Sequence, residues 1–231
     1  NILGTEYCRA LLAAGSAIEP LPIPRVGGGY ADTALFKDFS SATALRGAMR
    51  DGSRKAKKAL KNNLPPHVWR AALGYAPTPY EKAALAALVA ADEATIARCP
   101  DCSEGLENRL KSIARSTPAY DEMLKKVVSK RYTLARLKRI LAQNFLKITR
   151  EAVQDFAEAP LYYKTLAVRS SAAEEILSDL NGGAFPAVVR KSDFNKLTKS
   201  ALECFLTDVR ANDLYNVLTG VATNEYETKF V

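Results

Sequence analysis

Hydrophobic residues recur at helical spacing along most of the chain. The clearest pattern follows Thr133, where apolar residues at intervals of three and four predict an amphipathic helix with Thr133 as its N-cap. The apolar positions of this helix are Leu134, Leu137, Ile140, Leu141, Phe145 and Ile148. Similar patterns predict helices over 5–14, from 40, after Pro79, over 104–115 and after Pro118. From about residue 51 onwards, the chain is expected to be mostly helical.

Shorter apolar runs predict strands near both ends of the chain. Residues 18–23 are apolar with two prolines, a composition that suits an edge strand. Residues 161–169 and 186–190 predict two further strands, separated by a short helix that ends near Gly183. A single crossover between two such strands implies a small parallel pair. Ser192 and Asp193 are expected to cap a final helical run that reaches about Leu218.

The composition is that of a folded chain. Of 231 residues, 48% are hydrophobic and 25% are charged, which excludes wholesale disorder. No apolar run approaches the roughly 18 residues that a membrane span needs, and no secretory leader is recognisable, so we expect a cytoplasmic protein without membrane contact. Because the chain opens at Asn1 without an initiator Met, we expect it to be a portion whose N-terminal part is missing.

The charge distribution indicates a polyanionic partner. The chain has 33 Lys and Arg against 25 Asp and Glu, a formal net charge of +8. No acid lies between Glu122 and Glu151, and a second basic stretch over 46–61 contains Asp51 as its only acid. Such runs are often solvated helix faces, but two of them in one chain raise nucleic acid as the alternative.

The cysteines indicate no metal site. Cys99 and Cys102 have the spacing of half a zinc site or of a redox pair, but no second close pair exists. The only histidine, His67, is distant in sequence. We therefore predict that the chain holds no metal through these residues and that its thiols are reduced, as is usual in the cytosol.

The sharpest local motif is Ser40-Ser-Ala-Thr-Ala-Leu-Arg46. Hydroxyl groups at the first turn of a helix, with free backbone N–H groups and an arginine one turn further on, form an anion site. The arginine adds a charge-assisted contact to a phosphate. Without further context, a plain N-cap beside an exposed arginine explains the same residues.

The context of this motif changes that balance. It resembles the second signature of the HIGH-type nucleotidyltransferases, which binds the nucleotide triphosphate, whereas the first signature, HxGH, is absent here. An ordered set of further motifs is similar to the bacterial tRNA(Met) cytidine acetate ligase family. They are Asn1-Ile-Leu-Gly-Thr-Glu-Tyr7, Pro22-Ile-Pro-Arg25, Gly29-Tyr30 with Asp32, Glu104-Gly-Leu-Glu-Asn108, Ser129-Lys-Arg-Tyr-Thr133 and Asp208-Val-Arg-Ala-Asn-Asp-Leu-Tyr215. The resemblance extends over nearly the whole chain, apart from the HxGH region and the Cys99/Cys102 pair.

The resemblance implies an activity and a nucleotide site. Members of this family use ATP, expected with Mg²⁺, to activate acetate as acetyl-adenylate. They then acetylate N4 of the wobble cytidine of elongator tRNA(Met). The motif positions that the resemblance places at ATP are Asn1, Arg25, Ser41, Thr43 and Arg46. Because the first signature is missing, the catalytic residues stay unassigned.

The resemblance also suggests a use for the basic helix. An anticodon arm presents phosphates and unstacked bases, which proteins bind with cations and with stacking side chains. The expected tRNA-binding residues are Lys130, Arg131, Tyr132, Arg136, Lys138 and Arg139. Tyr132 either stacks on a base or packs in the core.

The expected fold is mainly α with α/β parts. It comprises the end of a Rossmann-like nucleotidyltransferase domain over 1–50 and a mostly helical tRNA-binding domain over 51–231, with short strands near 161–190. Two alternatives stay open: a non-catalytic RNA-binding module, and another nucleotidyltransferase, such as one that makes a dinucleotide cofactor. The second class usually lacks a long basic helical extension.

Overall fold

A computed structural model describes residues 2–73 and 78–223 and the backbone of 229–230, and it divides the chain into two compact units, 1–77 and 78–231. The described helices of the first unit are α1 (Ile2–Ala13), α2 (Ala42–Asp51), α3 (Arg54–Asn63) and α4 (Pro66–Leu73). The mainly helical fold is confirmed. The predicted domain boundary at residue 50 stays a prediction; in the structure α2 packs against α3 within the first unit.

Helices α2 and α3 of the first unit pack against each other around a small core. Ser41 and Ser53 cap α2 and α3 by accepting hydrogen bonds from the backbone N–H three residues ahead. Ala48, Ala56 and Leu60 are buried between the two helices. The small alanines allow the helix backbones to approach closely.

The segment that precedes α2 is packed far less. Helix α1 begins close to where helical spacing predicted it, yet none of its side chains is buried. The strand predicted over 18–23 is wrong, since these residues form no regular structure. Their apolar residues, among them Leu21 and Ile23, are exposed. An isolated strand is unstable because its backbone groups gain hydrogen-bond partners only in a sheet.

The second unit begins with a helical bundle. Its helices are α5 (Tyr80–Ala90), α6 (Glu93–Ala97), α7 (Leu106–Ser116), α8 (Tyr120–Val127), α9 (Leu134–Leu146) and α10 (Arg150–Glu158). Thr133 caps α9 as predicted, and Leu137, Ile140 and Leu141 are fully buried. They pack with Leu88 and Leu110 in the largest core of the described residues.

The C-terminal part of the second unit alternates strands and helices. Its elements are β1 (Tyr163–Lys164), β2 (Ala167–Val168), α11 (Ala173–Gly182), β3 (Ala187–Val188), α12 (Lys199–Thr219) and β4 (Lys229–Phe230). The predicted parallel pair is present, because β1 and β3 run parallel with Tyr163 opposite Ala187. A second parallel pair, β2 with β4, was not predicted.

One helix boundary near the C-terminus differs from the prediction. Ser192 and Asp193 lie inside a 3₁₀ helix, Lys191–Lys196, and Thr198 caps α12 instead. The buried Asp193 carboxylate accepts hydrogen bonds from the N–H groups of Val189 and Arg190. Asp193 therefore holds the exit from β3 rather than starting α12.

Candidate functional site

The proposed phosphate-binding turn is the N-terminus of α2. The Ser41 hydroxyl accepts from the N–H of Ala44 at 3.0 Å and donates to the carbonyl of Asp32. Since a hydroxyl has one proton to donate, that of Ser41 is already engaged within the protein. Ser41 is 1% exposed. In this arrangement its side chain fixes the loop to the helix.

The two other motif residues of α2 face solvent. Thr43 and Arg46 are exposed, whereas Ala44 and Ala48 are buried on the opposite face. Within the described part of the chain, the Arg46 guanidinium makes no hydrogen bond or ion pair. The first turn of α2 contains no acid. The helix dipole and one unpaired arginine therefore favour an anion at this end of the helix.

A glycine-rich turn lies against the start of α2. Gly28 is buried and donates to the carbonyl of Phe39 at 3.0 Å. A Cβ on Gly28 would lie 3.3 Å from the backbone nitrogen of Ser41. Arg25 joins this turn because its Nε donates to the carbonyl of Gly28 at 2.9 Å. The structure thus brings Arg25 and Ser41 to one neighbourhood, while Asn1 lies outside the described residues.

Gly27 permits the closest approach in this turn. Its φ is +86°, and a Cβ built on it would lie 2.3 Å from the carbonyl oxygen of Phe39. An L-amino acid rarely adopts such a φ, and no real Cβ tolerates that distance. A glycine is required here for the turn to close onto residue 39.

The predicted RNA-binding cations lie on and just before α9. Three of the arginines are bonded to the loop that precedes α7. Arg139 makes a two-pronged ion pair with the Asp101 carboxylate, at 2.7 and 3.1 Å. Arg131 donates to Glu104 at 2.6 Å. Arg136 donates to the carbonyl of Asp101 and the hydroxyl of Ser103.

These pairs shift the ionisation of both partners. Hydrogen bonds from Arg139 and Arg131 lower the pKa values of Asp101 and Glu104 respectively. The arginine side chains are exposed, with 64% of Arg131 and 57% of Arg139 accessible, but the Asp101 side chain is only 23% accessible. An exposed single-contact pair such as Arg131–Glu104 contributes only about 0–1 kcal/mol, whereas a two-pronged pair is held more firmly. Arg131 can therefore exchange Glu104 for another anion more easily than Arg139 can exchange Asp101.

From the sequence, Tyr132 either stacks on a base or packs in the core, and in the structure it packs only partly in the core. Its ring is half-buried against the helical core, and the guanidinium groups of Arg131 and Arg136 lie 5.8 and 5.5 Å from the ring centroid.

The predicted lysines differ from the arginines. Lys130 and Lys138 are exposed and have no bonded partner among the residues that the structure describes.

The Cys99/Cys102 pair is part of the core. Both side chains are buried, and burial raises the pKa of Cys99 to about 11 and that of Cys102 to about 12. The Arg150 guanidinium donates to the carbonyl of Cys102 at 2.8 Å and so holds this turn. Because the thiolate is the reactive form, we expect these thiols to react slowly at neutral pH.

We expect alkylation to separate the buried from the exposed thiols. At pH 8, Cys99 and Cys102 should react with iodoacetamide about a hundredfold more slowly than the exposed Cys8, because so little thiolate is present. Mass spectrometry of peptides after timed labelling measures these rates. Labelling in guanidinium chloride is the control, in which the difference should vanish. Equal native rates would contradict the burial of the pair.

The chain matches a known protein family along almost its whole length. The model of the HIGH Nucleotidyl Transferase family matches residues 1–229, and the chain belongs to that family. Within it, the chain is 29% identical to the tRNA(Met) cytidine acetate ligase of Clostridium kluyveri over 97% of its length and 30% identical to that of Alkaliphilus metalliredigens over 93%. These matches cover 55% and 53% of the relatives, so the chain spans about half of their length. The resemblance to this ligase group is confirmed.

Two crystal structures from Thermotoga maritima match the fold. Apo TmcAL superposes with a TM-score of 0.80 at 26% identity, covering all of this chain and 60% of TmcAL. TmcAL bound with alpha-thio ATP superposes with a TM-score of 0.76 at the same identity, covering 59% of TmcAL. Among the described residues, no helix combines the length and the hydrophobicity that a membrane span requires.

The structure adds two features that the sequence analysis missed. Asp101 and Glu104 are partners of the basic helix, although they precede Arg139 and Arg131 by 38 and 27 positions. Counting acids within the basic window could not find them. The other is an apolar groove beside Lys138, described below.

Proposed function

We propose that this chain belongs to an ATP-dependent ligase that activates acetate and acetylates N4 of the wobble cytidine of elongator tRNA(Met). The observation that carries the proposal is the N-terminus of α2, where Thr43 and Arg46 are exposed and the Arg25–Gly28 turn lies against Ser41. Support comes from the relatives named tRNA(Met) cytidine acetate ligase and from the TmcAL structure bound to an ATP analogue.

The first step requires charge to be stabilised on phosphate. An acetate oxygen attacks the α-phosphorus of ATP, and pyrophosphate leaves with the electron pair of the broken bond. In our proposal, Arg46 and the backbone N–H groups at the start of α2 hold the phosphates, and Arg25 supports the adjoining turn. Donors fixed before the reaction stabilise developing charge without reorganisation. Asn1 is proposed as a further nucleotide contact through the resemblance.

The Mg²⁺ expected with ATP finds no preformed cage in the described part of the chain. No three His, Cys, Asp or Glu residues there are grouped to hold a metal ion. Mg²⁺ in nucleotide sites is commonly held by substrate phosphates and only one or two carboxylates. We propose that the ion is bound chiefly through the triphosphate.

The second step uses the RNA-binding surface of the other unit. The N4 amino group attacks the acetyl carbonyl, AMP leaves, and the amino group loses a proton. We propose that Lys130, Arg131, Tyr132, Arg136, Lys138 and Arg139 contribute to holding tRNA. Arg131 would then exchange Glu104 for phosphate, which costs little for an exposed pair, whereas Arg139 would leave its two-pronged pair with Asp101 at a larger cost.

The test compares substitutions of two arginines in a ligase that contains both the HxGH signature and the Ser40–Arg46 motif. We expect Arg46→Ala to lower ATP-dependent adenylate formation about tenfold to a hundredfold, because it removes a charge-assisted contact worth about 1.5–3 kcal/mol. Arg131→Ala should leave tRNA-free adenylate formation unchanged and lower acetyl transfer to tRNA. Both rates are measured with labelled acetate, with and without tRNA.

Arg54→Ala is the matched control, because Arg54 is an exposed first-turn arginine of the neighbouring α3. It should preserve adenylate formation. If Arg131→Ala abolished adenylate formation while Arg46→Ala spared it, the two sites would be assigned in reverse. The chain alone should not form acetyl-adenylate at the rate of a complete enzyme, since the HxGH signature is absent from its sequence.

A further inference from the structure

An apolar groove opens between α8 and the start of α9. Its volume is about 310 Å³, at the lower end of the range for small-ligand sites. Leu124 is buried in it, whereas Val128 and Leu134 are 40% and 47% exposed. Lys125, Lys138 and Asp121 complete the lining. Large apolar side chains left accessible in a concave site favour a bound partner.

The charges around the groove specify the kind of partner. Lys125 and Lys138 are exposed, and within the described residues neither forms an ion pair or a hydrogen bond. Their condition contrasts with that of Arg131 and Arg139, whose charges are balanced by Glu104 and Asp101. These lysines are thus not paired with a carboxylate, although Asp121 lines the same groove.

The helix that borders the groove reinforces this charge. Leu134 is the first residue of α9, which has no acid in its first turn. The positive end of the α9 dipole therefore adds to the charge of Lys138, while Lys125 offsets the negative C-terminal end of α8. A nucleotide combines the two properties that this lining matches, an apolar base face and an anionic phosphate.

We propose that the groove holds one unstacked nucleotide of a single-stranded RNA segment. The base lies against Val128 and Leu134, and the flanking phosphates are bound by Lys125 and Lys138. Sequence-specific proteins commonly bind RNA through bases splayed out of loops, with cations along the backbone. The inference deepens the proposed function, since it rests on tRNA as the partner, and it adds Lys125, Val128 and Leu134 to the RNA surface.

Asp121 gives the groove a preference among bases. Its carboxylate, on a residue that lines the groove, is a hydrogen-bond acceptor. Cytosine, adenine and guanine carry an exocyclic amino group that donates to such an acceptor, whereas the only base donor of uracil is its N3–H, which lies between two carbonyl oxygens that a carboxylate repels. A carboxylate also repels phosphate, so the phosphates are expected on the lysine sides of the groove. The site should therefore prefer an amino-bearing base to uracil.

The experiment measures binding of the full chain to a fluorescein-labelled hairpin RNA with a cytidine-rich loop. Anisotropy is recorded over a range of potassium chloride concentrations, beside a fully paired duplex and a uridine loop. The double variant Lys125→Ala/Lys138→Ala should bind the hairpin about tenfold more weakly, with a salt slope smaller by about 1.5, as two lost phosphate contacts require. Val128→Ser/Leu134→Ser should lose about fivefold on the hairpin with an unchanged salt slope.

Matched controls separate the groove from net charge and from folding. Lys82→Ala/Lys199→Ala removes two exposed lysines elsewhere in the same unit, and it should keep the salt slope within about 0.5 of the unaltered chain. Circular dichroism shows whether each variant is folded. Asp121→Ala should reduce the preference for the cytidine loop over the uridine loop.

Several results would overturn the proposal. Equal losses of RNA affinity in the Lys125/Lys138 and control variants would show that binding depends on net charge and not on the groove. Equal effects of Val128→Ser/Leu134→Ser on hairpin and duplex would remove the base from the groove, while the proposed function would stand. If the unaltered chain sediments as an oligomer and only Val128→Ser/Leu134→Ser sediments as a monomer, the groove would be a self-association surface. Failure of the unaltered chain to bind any RNA would refute both the groove and the tRNA part of the function.

Discussion

Replacing Gly27 by alanine is expected to lower the free energy of unfolding of the first unit by about 2–4 kcal/mol. The new Cβ would meet the carbonyl oxygen of Phe39 at 2.3 Å, on a backbone with φ of +86°. Backbone strain contributes about 1 kcal/mol to this loss, and the movement that relieves the clash costs about 1–3 kcal/mol more. Relief requires the turn to move away from residue 39, which breaks the hydrogen bond from Gly28 to Phe39.

Urea unfolding followed by fluorescence of Trp69, the single tryptophan, measures this loss within the first unit. Gly47 within α2 and Gly52, which caps its C-terminus, are controls. Gly52 has a positive φ but open space, so Gly52→Ala should cost only about 1 kcal/mol. Gly47 lies within the helix with open space, and Gly47→Ala should stabilise by about 0.5–1 kcal/mol. Equal effects of Gly27→Ala and Gly52→Ala would show that the clash is absent.

The second large effect is expected at Lys111, a buried cation of α7. Its side chain reaches the C-terminal end of α5, where Nζ donates to the carbonyls of Leu88, Val89 and Ala91. Three donors meet three acceptors, so the ammonium group is satisfied although the residue is 5% exposed. We expect Lys111→Met, which keeps the stem but removes the donors, to destabilise the second unit by about 3 kcal/mol.

Chemical unfolding followed by far-ultraviolet circular dichroism measures this change. Lys82→Met is the matched control, because Lys82 is an exposed lysine of α5 and surface changes usually stay within about 0.5 kcal/mol. A Lys111→Met variant as stable as the control would mean that water replaces the ammonium group at the three carbonyls.

The helices of the bundle were predictable because their signals are local. Thr133 caps α9 within its own turn, and the apolar spacing after it marks the buried face. Pro79 stands immediately before α5, as expected. The strand wrongly predicted over 18–23 shows the converse, since a strand is decided by a partner that the segment itself does not contain. The 3₁₀ helix before α12 has the same cause, because Asp193 accepts hydrogen bonds from the backbone that follows β3.

The candidate site was predictable in part for the same reason. Ser41 and Arg46 belong to one helix start, and their motif is contiguous in sequence. The ion pairs of the basic helix were invisible, because Asp101 and Glu104 approach α9 only through folding. Pairing within the fold changes which cations carry uncompensated charge, and no count along the sequence contains that information.

The uncovered helix α1 has a consequence for calorimetry. The heat-capacity increment of unfolding arises mainly from apolar surface that becomes hydrated, at about 12–15 cal/mol/K per residue of an ordinary domain. A helix of 12 residues without a buried side chain is already hydrated in the folded chain, as are Leu21 and Ile23 after it. Melting this segment adds almost nothing to the increment. Values scaled from all 231 residues would therefore overstate the curvature of the stability curve.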